Sequence, residues 1–408
     1  MTATAAARPR PEVGGPGRAA EGRPLGKGRS SVLPEADRRS RRREAMGLRR
    51  SLWGWSSVKR QRKCGRVPHR TGGGAVIRVS DTDDGRRAGV SGLQSCSSWT
   101  CPVCSRSISA ERAQEVAAVL RAAQAQGCSV AFVTLTMSHR AGTPLRASWD
   151  ALTAGWRSVT SGAAWTKDQE KFGVVGWLRA IEITHGANGF HVHVHAMIVF
   201  DGPVSPDLMF ALGDRLFGRW ERGIGRKGFT AVMDRGGLDV RPVLLNSESI
   251  DAVAAYVSKA AMEAVSSATK HARGGNRAPF QILRDAVATG NADDIELFWE
   301  IEQASIGRKK ITWSQSLRTW AGLHRERTEE EIVSENRHGE DQLALPPETW
   351  DRVQHEVEDL LDTIEAGGLP GAEQWLRSRG LTYRLVGCGA EGESTDRSGP
   401  PSRSSGRR

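Results

Sequence analysis

The stretch Phe190-His-Val-His-Val-His-Ala-Met-Ile-Val-Phe200 decides the fold prediction. Its apolar residues alternate with three histidines, which is typical of a β-strand with one face against a core. Because alternate side chains of a strand share a face, His191, His193 and His195 are expected to point to the same side. The sequence therefore predicts a sheet with an imidazole-rich face.

The neighbouring segments extend this prediction to a mixed sheet with helices packed on it. The predicted strands are Ser129–Met137, Gly176–Thr184, Phe190–Phe200 and Gly237–Leu245. The predicted helices are 111–126, 145–159, 206–222 and 249–265. The turn His185–Gly189 joins the second strand to the third, and Pro242 favours an edge position for the last strand. The resulting fold class is α/β, or α+β.

Two imidazoles two residues apart on one strand can bind a single divalent cation without backbone strain. Glu182 lies on the neighbouring strand, and its carboxylate is placed to reach across the hairpin as a third ligand. Such a shell suits Mg²⁺ or Mn²⁺ acting as a Lewis acid on a phosphate. Two alternatives remain at this point: histidines that only pack on a half-exposed sheet, and a histidine-triad nucleotide hydrolase, which uses a histidine nucleophile and no metal.

The chain has two tyrosines, Tyr256 and Tyr383. Tyr256 and Lys259 are three residues apart on a predicted helix, so they share a face. A phenol beside a metal-bound phosphate and an ammonium group has the elements of covalent catalysis, in which the phenolate attacks phosphorus and the ammonium steadies negative charge. The alternative is a half-buried tyrosine with its hydroxyl at the surface.

Four cysteines have the spacing of a metal site. Cys96, Cys101 and Cys104 form a C-x4-C-x2-C cluster, and Cys64 in Lys-Cys-Gly-Arg resembles half of a zinc knuckle. Four thiolates would complete a tetrahedral structural Zn²⁺ site, with His69 as a substitute for one of them. Unrelated thiols are the alternative.

Charge is distributed unevenly along the chain, whose formal net charge is +11. Residues 1–50 carry 13 Lys and Arg against 5 acidic residues, residues 51–324 carry 34 against 24, and residues 325–365 carry 4 against 14. The basic central part favours a polyanionic partner. Basic stretches expected to contact phosphates are Lys59–Lys63, Arg226–Lys227 and Arg308–Lys310, and Trp313 and Trp320 either stack on bases or belong to the core.

Composition and motifs together divide the chain into six regions. These are a disordered basic arm (1–50), a zinc-binding module (51–110), a catalytic domain (111–272), a helical extension (273–323), an acidic helical region (324–388) and a disordered tail (389–408). No apolar run approaches the roughly 18 residues needed to span a bilayer, and no secretory signal is visible. We therefore expect a cytoplasmic protein that does not engage a membrane.

Three stretches resemble, in order, the motifs of the HUH endonucleases, and within them the rolling-circle replication initiators of plasmids from Gram-positive bacteria, especially actinobacteria. They are Phe132-Val-Thr-Leu-Thr136, Gly189-Phe-His-Val-His-Val-His195 and Ala255-Tyr-Val-Ser-Lys259. The similarity spans roughly residues 60–323. It implies a mainly antiparallel sheet, a metal held by His193, His195 and Glu182 with His191 as an additional candidate, and Tyr256 as the nucleophile.

The resemblance implies a metal-dependent nickase that cuts one strand of the plasmid origin, leaving a 5′-phosphotyrosine link and a 3′-hydroxyl primer. Host helicase and polymerase are the implied partners. Some of these initiators terminate the cycle with a second tyrosine, or with a glutamate four residues before the first, and the chain departs from them because that position is Ala252. Asp251 or Glu248 would then activate a water, or a second subunit of a homodimer would supply the second tyrosine. A mobilisation relaxase or transposase of the same chemistry and a non-enzymatic, zinc-containing DNA-binding regulator are the alternative functions.

Overall fold

A computed structural model describes residues 35–70, 73–83, 85–246, 250–251, 253–254, 275–335 and 339–386. Its helices are α1 (Glu35–Trp55), α2 (Lys59–Lys63), α3 (Cys104–Ala125), α4 (Leu145–Val159), α5 (Ala163–Phe172), α6 (Pro206–Gly225), α7 (Pro279–Thr289), α8 (Ala292–Ser305), α9 (Gln315–Trp320), α10 (Glu329–Glu335), α11 (Pro347–Val353) and α12 (Val357–Ser378). Its strands are β1 (Ala75–Thr82), β2 (Gly85–Ser91), β3 (Ser129–Thr136), β4 (Val174–Gly186), β5 (Gly189–Phe200), β6 (Leu238–Val243), β7 (Ile311–Trp313), β8 (Glu340–Leu345) and β9 (Arg384–Leu385).

The larger sheet has the strand order β6-β3-β5-β4-β7, and its ladders are antiparallel. The histidine strand β5 is central, and a tight turn joins it to β4, with Gly186 opposite Gly189. Pro242 lies on β6 at the edge of the sheet, where a residue without an N–H interrupts no inner ladder. The predicted mixed α/β fold with antiparallel sheets flanked by helices is confirmed.

Helices α4 and α6 pack on each other beside this sheet, and both bury large aromatic side chains, Trp149, Trp156 and Trp220. The two helices approach closely because glycines face each other: a Cβ on Gly223 would lie 2.7 Å from the Cα of Gly155. The shared apolar core holds the strands that carry the candidate site at fixed positions.

The smaller sheet, with the order β2-β1-β8-β9, was not predicted. Its central strands β1 and β8 come from regions that the sequence analysis had separated, 51–110 and 324–388, and they pair antiparallel with Ile77 opposite Leu343. Both side chains belong to a second core, together with Trp350 and Leu360. The first and last parts of the described chain thus form one unit.

The prediction of a disordered arm over residues 1–50 is wrong for residues 35–50, which belong to α1; residues 1–34 lie outside the described residues. The helix buries Leu48 and Leu52 on one face. Several of its arginines form ion pairs with α12: Arg42, for example, contacts Asp362 and Glu365. Composition alone could not show this pairing, because the acidic partners lie more than 300 residues away along the chain. No helix in the described ranges is long and apolar enough to cross a membrane.

Candidate functional site

Three side chains converge on one face of the larger sheet, from two adjacent strands. Glu182 on β4 lies directly opposite His193 on β5, and His195 is two residues further along β5. The Oε2 atom of Glu182 lies 2.9 Å from Nε2 of His193 and 2.6 Å from Nε2 of His195. The ligand atoms of all three residues lie within 4.8 Å of one another. The structure therefore brings together the metal ligands predicted from the sequence.

The electrostatics of this group favour an ionised carboxylate. Burial raises the pKa of Glu182, but hydrogen bonds and charges from the two imidazoles outweigh burial, so the net pKa lies well below its usual range. The donor set also fits a divalent cation. Cis ligands at metal–ligand distances of about 2.1 Å are about 3 Å apart. The observed 2.6 and 2.9 Å separations between Glu182 and the two histidines are close to that value.

The ring of His195 is held from its other side by strand β3. Thr134 lies opposite His195 in the ladder, and its Oγ1 is 3.1 Å from Nδ1 of His195. Phe132 stacks on the same ring at a centroid distance of 5.4 Å. A partner at Nδ1 fixes the tautomer that leaves Nε2 available as a ligand. Both residues were predicted to lie in the strand Ser129–Met137, but their contact with His195 was not predicted and becomes visible only in the register of β3 and β5.

His191 shares the sheet face but does not belong to the three-residue ligand group. Its ring lies between those of His193, at 4.5 Å, and His139, at 4.7 Å. Burial and the neighbouring imidazoles lower the pKa of His191 to about 4. His139, in the loop after β3, was not singled out from the sequence, because an isolated loop histidine has no periodicity to mark it. Burial lowers its pKa as well.

The predicted nucleophile Tyr256, its partner Lys259 and the candidate base Glu248 lie outside the described residues. Asp251 is described: it is exposed, and its carboxylate lies 3.2 Å from the guanidinium of Arg121 on α3.

The described chain nevertheless fixes both ends of the segment that carries Tyr256. On the N-terminal side, Val253 and Ala254 are buried in the main core. On the C-terminal side, Arg277 forms a β-bridge with His185, three residues after Glu182, through backbone hydrogen bonds of 2.8 and 2.7 Å.

The four predicted cysteine ligands form a second cluster. Their Sγ atoms lie within 4.8 Å of one another, and all four residues are buried. Three Sγ–Sγ distances are 3.8 Å (Cys64–Cys101), 3.6 Å (Cys64–Cys104) and 3.7 Å (Cys96–Cys104). The predicted substitute, His69, is exposed and is not a member of the group.

The cysteines of this cluster shift one another's pKa values. Hydrogen bonds from the other cysteines, chiefly Cys101, lower the pKa of Cys64, whereas hydrogen bonding within the cluster and burial raise the pKa values of Cys96 and Cys101. Four cysteine sulfurs this close together are a donor set that could hold a metal ion.

The last basic stretch predicted to contact phosphates is engaged within the protein. Arg308 lies 2.8 Å from Asp150, and Lys309 lies 3.0 Å from Glu326. Lys310 is buried and stacks over the ring of Trp99 at 3.5 Å. Trp313 and Trp320 are half-buried and pack against the main core, as the core alternative predicted.

The model of the family described as "Replication protein" matches residues 88–358, and the chain belongs to this family. Among curated proteins, Protein rep of Streptomyces lividans is 27% identical to this chain over 355 residues, which covers 70% of this chain and 77% of the relative. No solved structure matches. The family and the Streptomyces relative confirm the resemblance to plasmid rolling-circle replication initiators of actinobacterial type.

Proposed function

We propose that this replication initiator nicks one strand of its plasmid origin by metal-assisted transesterification. The observation that carries the proposal is the convergence of Glu182, His193 and His195 on one sheet face of a chain that belongs to the replication protein family. These three residues would hold Mg²⁺ or Mn²⁺. When bound, the cation would supply Lewis acidity to the scissile phosphate.

The chain's own residues would then perform the transfer. The Tyr256 phenolate forms a bond to phosphorus, the bond from phosphorus to the 3′-oxygen breaks, and that oxygen takes up a proton as the 3′-hydroxyl primer. The 5′-phosphate stays on Tyr256, which conserves the bond for rejoining. Lys259 steadies the negative charge that develops on the phosphate. For the end of the cycle, Asp251 or Glu248 activates a water, or a second subunit of a homodimer supplies a tyrosine.

The cysteine cluster is proposed to hold a structural Zn²⁺. A regular tetrahedron with Zn–S distances of about 2.3 Å has S–S edges of about 3.8 Å. The three observed separations of 3.6 to 3.8 Å agree with that geometry. Origin DNA is the proposed substrate, and host helicase and polymerase would extend the primer in the bacterial cytoplasm.

The decisive experiment is to trap a covalent protein–DNA adduct on a labelled single-stranded origin oligonucleotide with Mn²⁺. We expect an adduct with the wild-type chain and none with Tyr256→Phe. Tyr383→Phe is the matched control, because Tyr383 is the other tyrosine of the chain and lies in the second core, hydrogen-bonded to Glu373. It should form the adduct normally.

A paired experiment tests the metal ligands. His193→Ala/His195→Ala and a chelator should both abolish nicking. An adduct with Tyr256→Phe would refute the nucleophile, and normal nicking in chelator would refute the metal. If the wild-type chain binds the origin but forms no adduct, the non-enzymatic regulator is the better explanation. Transfer of DNA between cells without autonomous replication would indicate a relaxase.

A further inference from the structure

Helix α2 is fixed on one side by the cysteine cluster. Gln61 is buried, and its Nε2 donates to Oγ1 of Thr100, between two of the clustered cysteines, at 2.6 Å. Cys64 follows the helix directly and is itself a member of the cluster. The backbone oxygen of Cys64 accepts a hydrogen bond of 2.8 Å from Nε1 of Trp53. The cluster thus sets the orientation of α2.

The opposite side of α2 presents four exposed cations, Lys59, Arg60, Arg62 and Lys63. Arg60 lies 3.2 Å from Glu330. Among the residues that the structure describes, no carboxylate forms an ion pair with Lys59, Arg62 or Lys63. Several cations of α1 differ, because acidic residues of α12 form ion pairs with Arg42, Arg43 and Arg50. Helix α2 thus carries exposed positive charge that no described carboxylate pairs at Lys59, Arg62 and Lys63.

Lys59, Arg60 and Lys63 border a cleft of about 490 Å³ that continues past His69 to Ser95 and Ser97, the two neighbours of Cys96. Its lining also includes the carboxylates of Glu330 and Glu331 and neutral hydrogen-bonding groups, but none of the exposed large hydrophobic side chains of the described chain. A protein partner would need an apolar centre, and a single strand would need an aromatic side chain for base stacking. The sugar-phosphate backbone of a duplex needs neither.

We propose that α2 and the adjoining cleft bind the phosphate backbone of duplex DNA next to the nicking site, and that the cysteine cluster positions this surface. The proposal rests on the proposed function in taking origin DNA as the partner, but it does not depend on the chemistry at Tyr256. Glu330 weakens the proposed DNA binding, because it forms an ion pair with Arg60 and adds negative charge to the cleft.

The test measures the affinity for a mixed-sequence duplex oligonucleotide against salt concentration, by fluorescence anisotropy. Each phosphate contact contributes about 0.9 to the slope of log K against log salt. Lys59→Gln/Arg62→Gln/Lys63→Gln should reduce the slope by about 2 to 3 and weaken binding by at least about 10-fold at low salt. Glu330→Gln should strengthen binding by about 2-fold.

Arg157→Gln/Lys167→Gln/Lys171→Gln is the matched control, since it removes the same charge from three exposed cations of α4 and α5. It should leave the slope unchanged. An unchanged slope in the α2 variant, an equal loss in the control, or weaker binding by Glu330→Gln would overturn the proposal. Failure of the wild-type chain to nick would refute the proposed function alone, because the slope is measured without cleavage.

Discussion

Oγ1 of Thr134 lies 3.1 Å from Nδ1 of His195, on the opposite edge of the imidazole from Glu182. In the proposed metal-bound state, Nε2 would be a ligand, so Nδ1 would carry the proton and donate a hydrogen bond to the hydroxyl oxygen of Thr134. This contact links strand β3 to the ligand group, although Thr134 is not itself a ligand.

Thr134→Val should therefore weaken metal binding while preserving the shape of the strand. We expect about a 10-fold loss of Mn²⁺ affinity, measured by titrating nicking activity against Mn²⁺ or by calorimetry. Thr136→Val is the matched control. Thr136 lies on the same strand as Thr134 and opposite His193 of β5. No side-chain hydrogen bond of Thr136 is found within the described part of the chain. Equal losses in the two variants would show that the hydroxyl of Thr134 has no special role.

The candidate site shows how far local patterns carry a prediction. Glu182 could be predicted because a hairpin fixes which residue of one strand faces His193 of the other. Thr134 could not, because its partner strand is not its neighbour along the chain, and the register across β3 and β5 depends on the folded core. His139 lies in a loop, where neither helical nor strand periodicity places a side chain.

The errors in the predicted fold have the same cause: local sequence patterns do not show which distant segments pair. Strands β3 to β6 and helices α4 and α6 follow from local periodicity, and their bounds were predicted to within about three residues. The predicted helix 111–126 begins earlier, at Cys104, and α5 was not predicted. The predicted helix 249–265 lies outside the described residues, apart from 250–251 and 253–254. The pairing of β1 with β8, and of Arg42 with Glu365, joins segments more than 250 residues apart. Arg42 was assigned to a disordered basic arm and Glu365 to an acidic helical region, because a local pattern does not contain the complementary charge.

The cysteine cluster should lose its metal when one ligand is replaced. Cys101→Ser is expected to release zinc during dialysis and to lower the melting temperature by about 10 °C, because the cluster ties α2 to α3. Metal content is measured by mass spectrometry and stability by thermal unfolding. Cys128→Ser is the control, since Cys128 is also buried but lies outside the cluster. Full zinc retention by Cys101→Ser would refute the assignment.

Replacing Gly65, which directly follows Cys64 of the cluster, should destabilise the protein. It has a φ of +62°, and a Cβ at this position would overlap the guanidinium of the buried Arg49. That charge also lowers the pKa of Cys64, after the larger effects of hydrogen bonds from the other cysteines. Gly65→Ala should cost about 2 kcal/mol in the free energy of unfolding by urea, because both the backbone and Arg49 must move.

Gly54 provides the comparison, since nothing lies within 4 Å of a Cβ there and it belongs to α1. Gly54→Ala should stabilise the protein by about 0.5 kcal/mol. If Gly65→Ala is equally harmless, Arg49 does not occupy the position described.

His191 should make the metal-free protein sensitive to acid. Burial lowers its pKa from the ordinary 6.5 to about 4, so between these values the unfolded chain binds a proton that the folded chain does not. Its contribution to stability is complete above pH 6.5 and is lost as the pH falls towards 4. His191→Gln removes this proton uptake, so the free energy of unfolding should depend less steeply on pH between 6.5 and 4 than in the wild-type chain. Urea unfolding in chelator measures the difference. His69→Gln, at an exposed position, is the control and should follow the wild-type curve. If His191→Gln keeps the wild-type slope, the imidazole of His191 is already protonated in the folded protein.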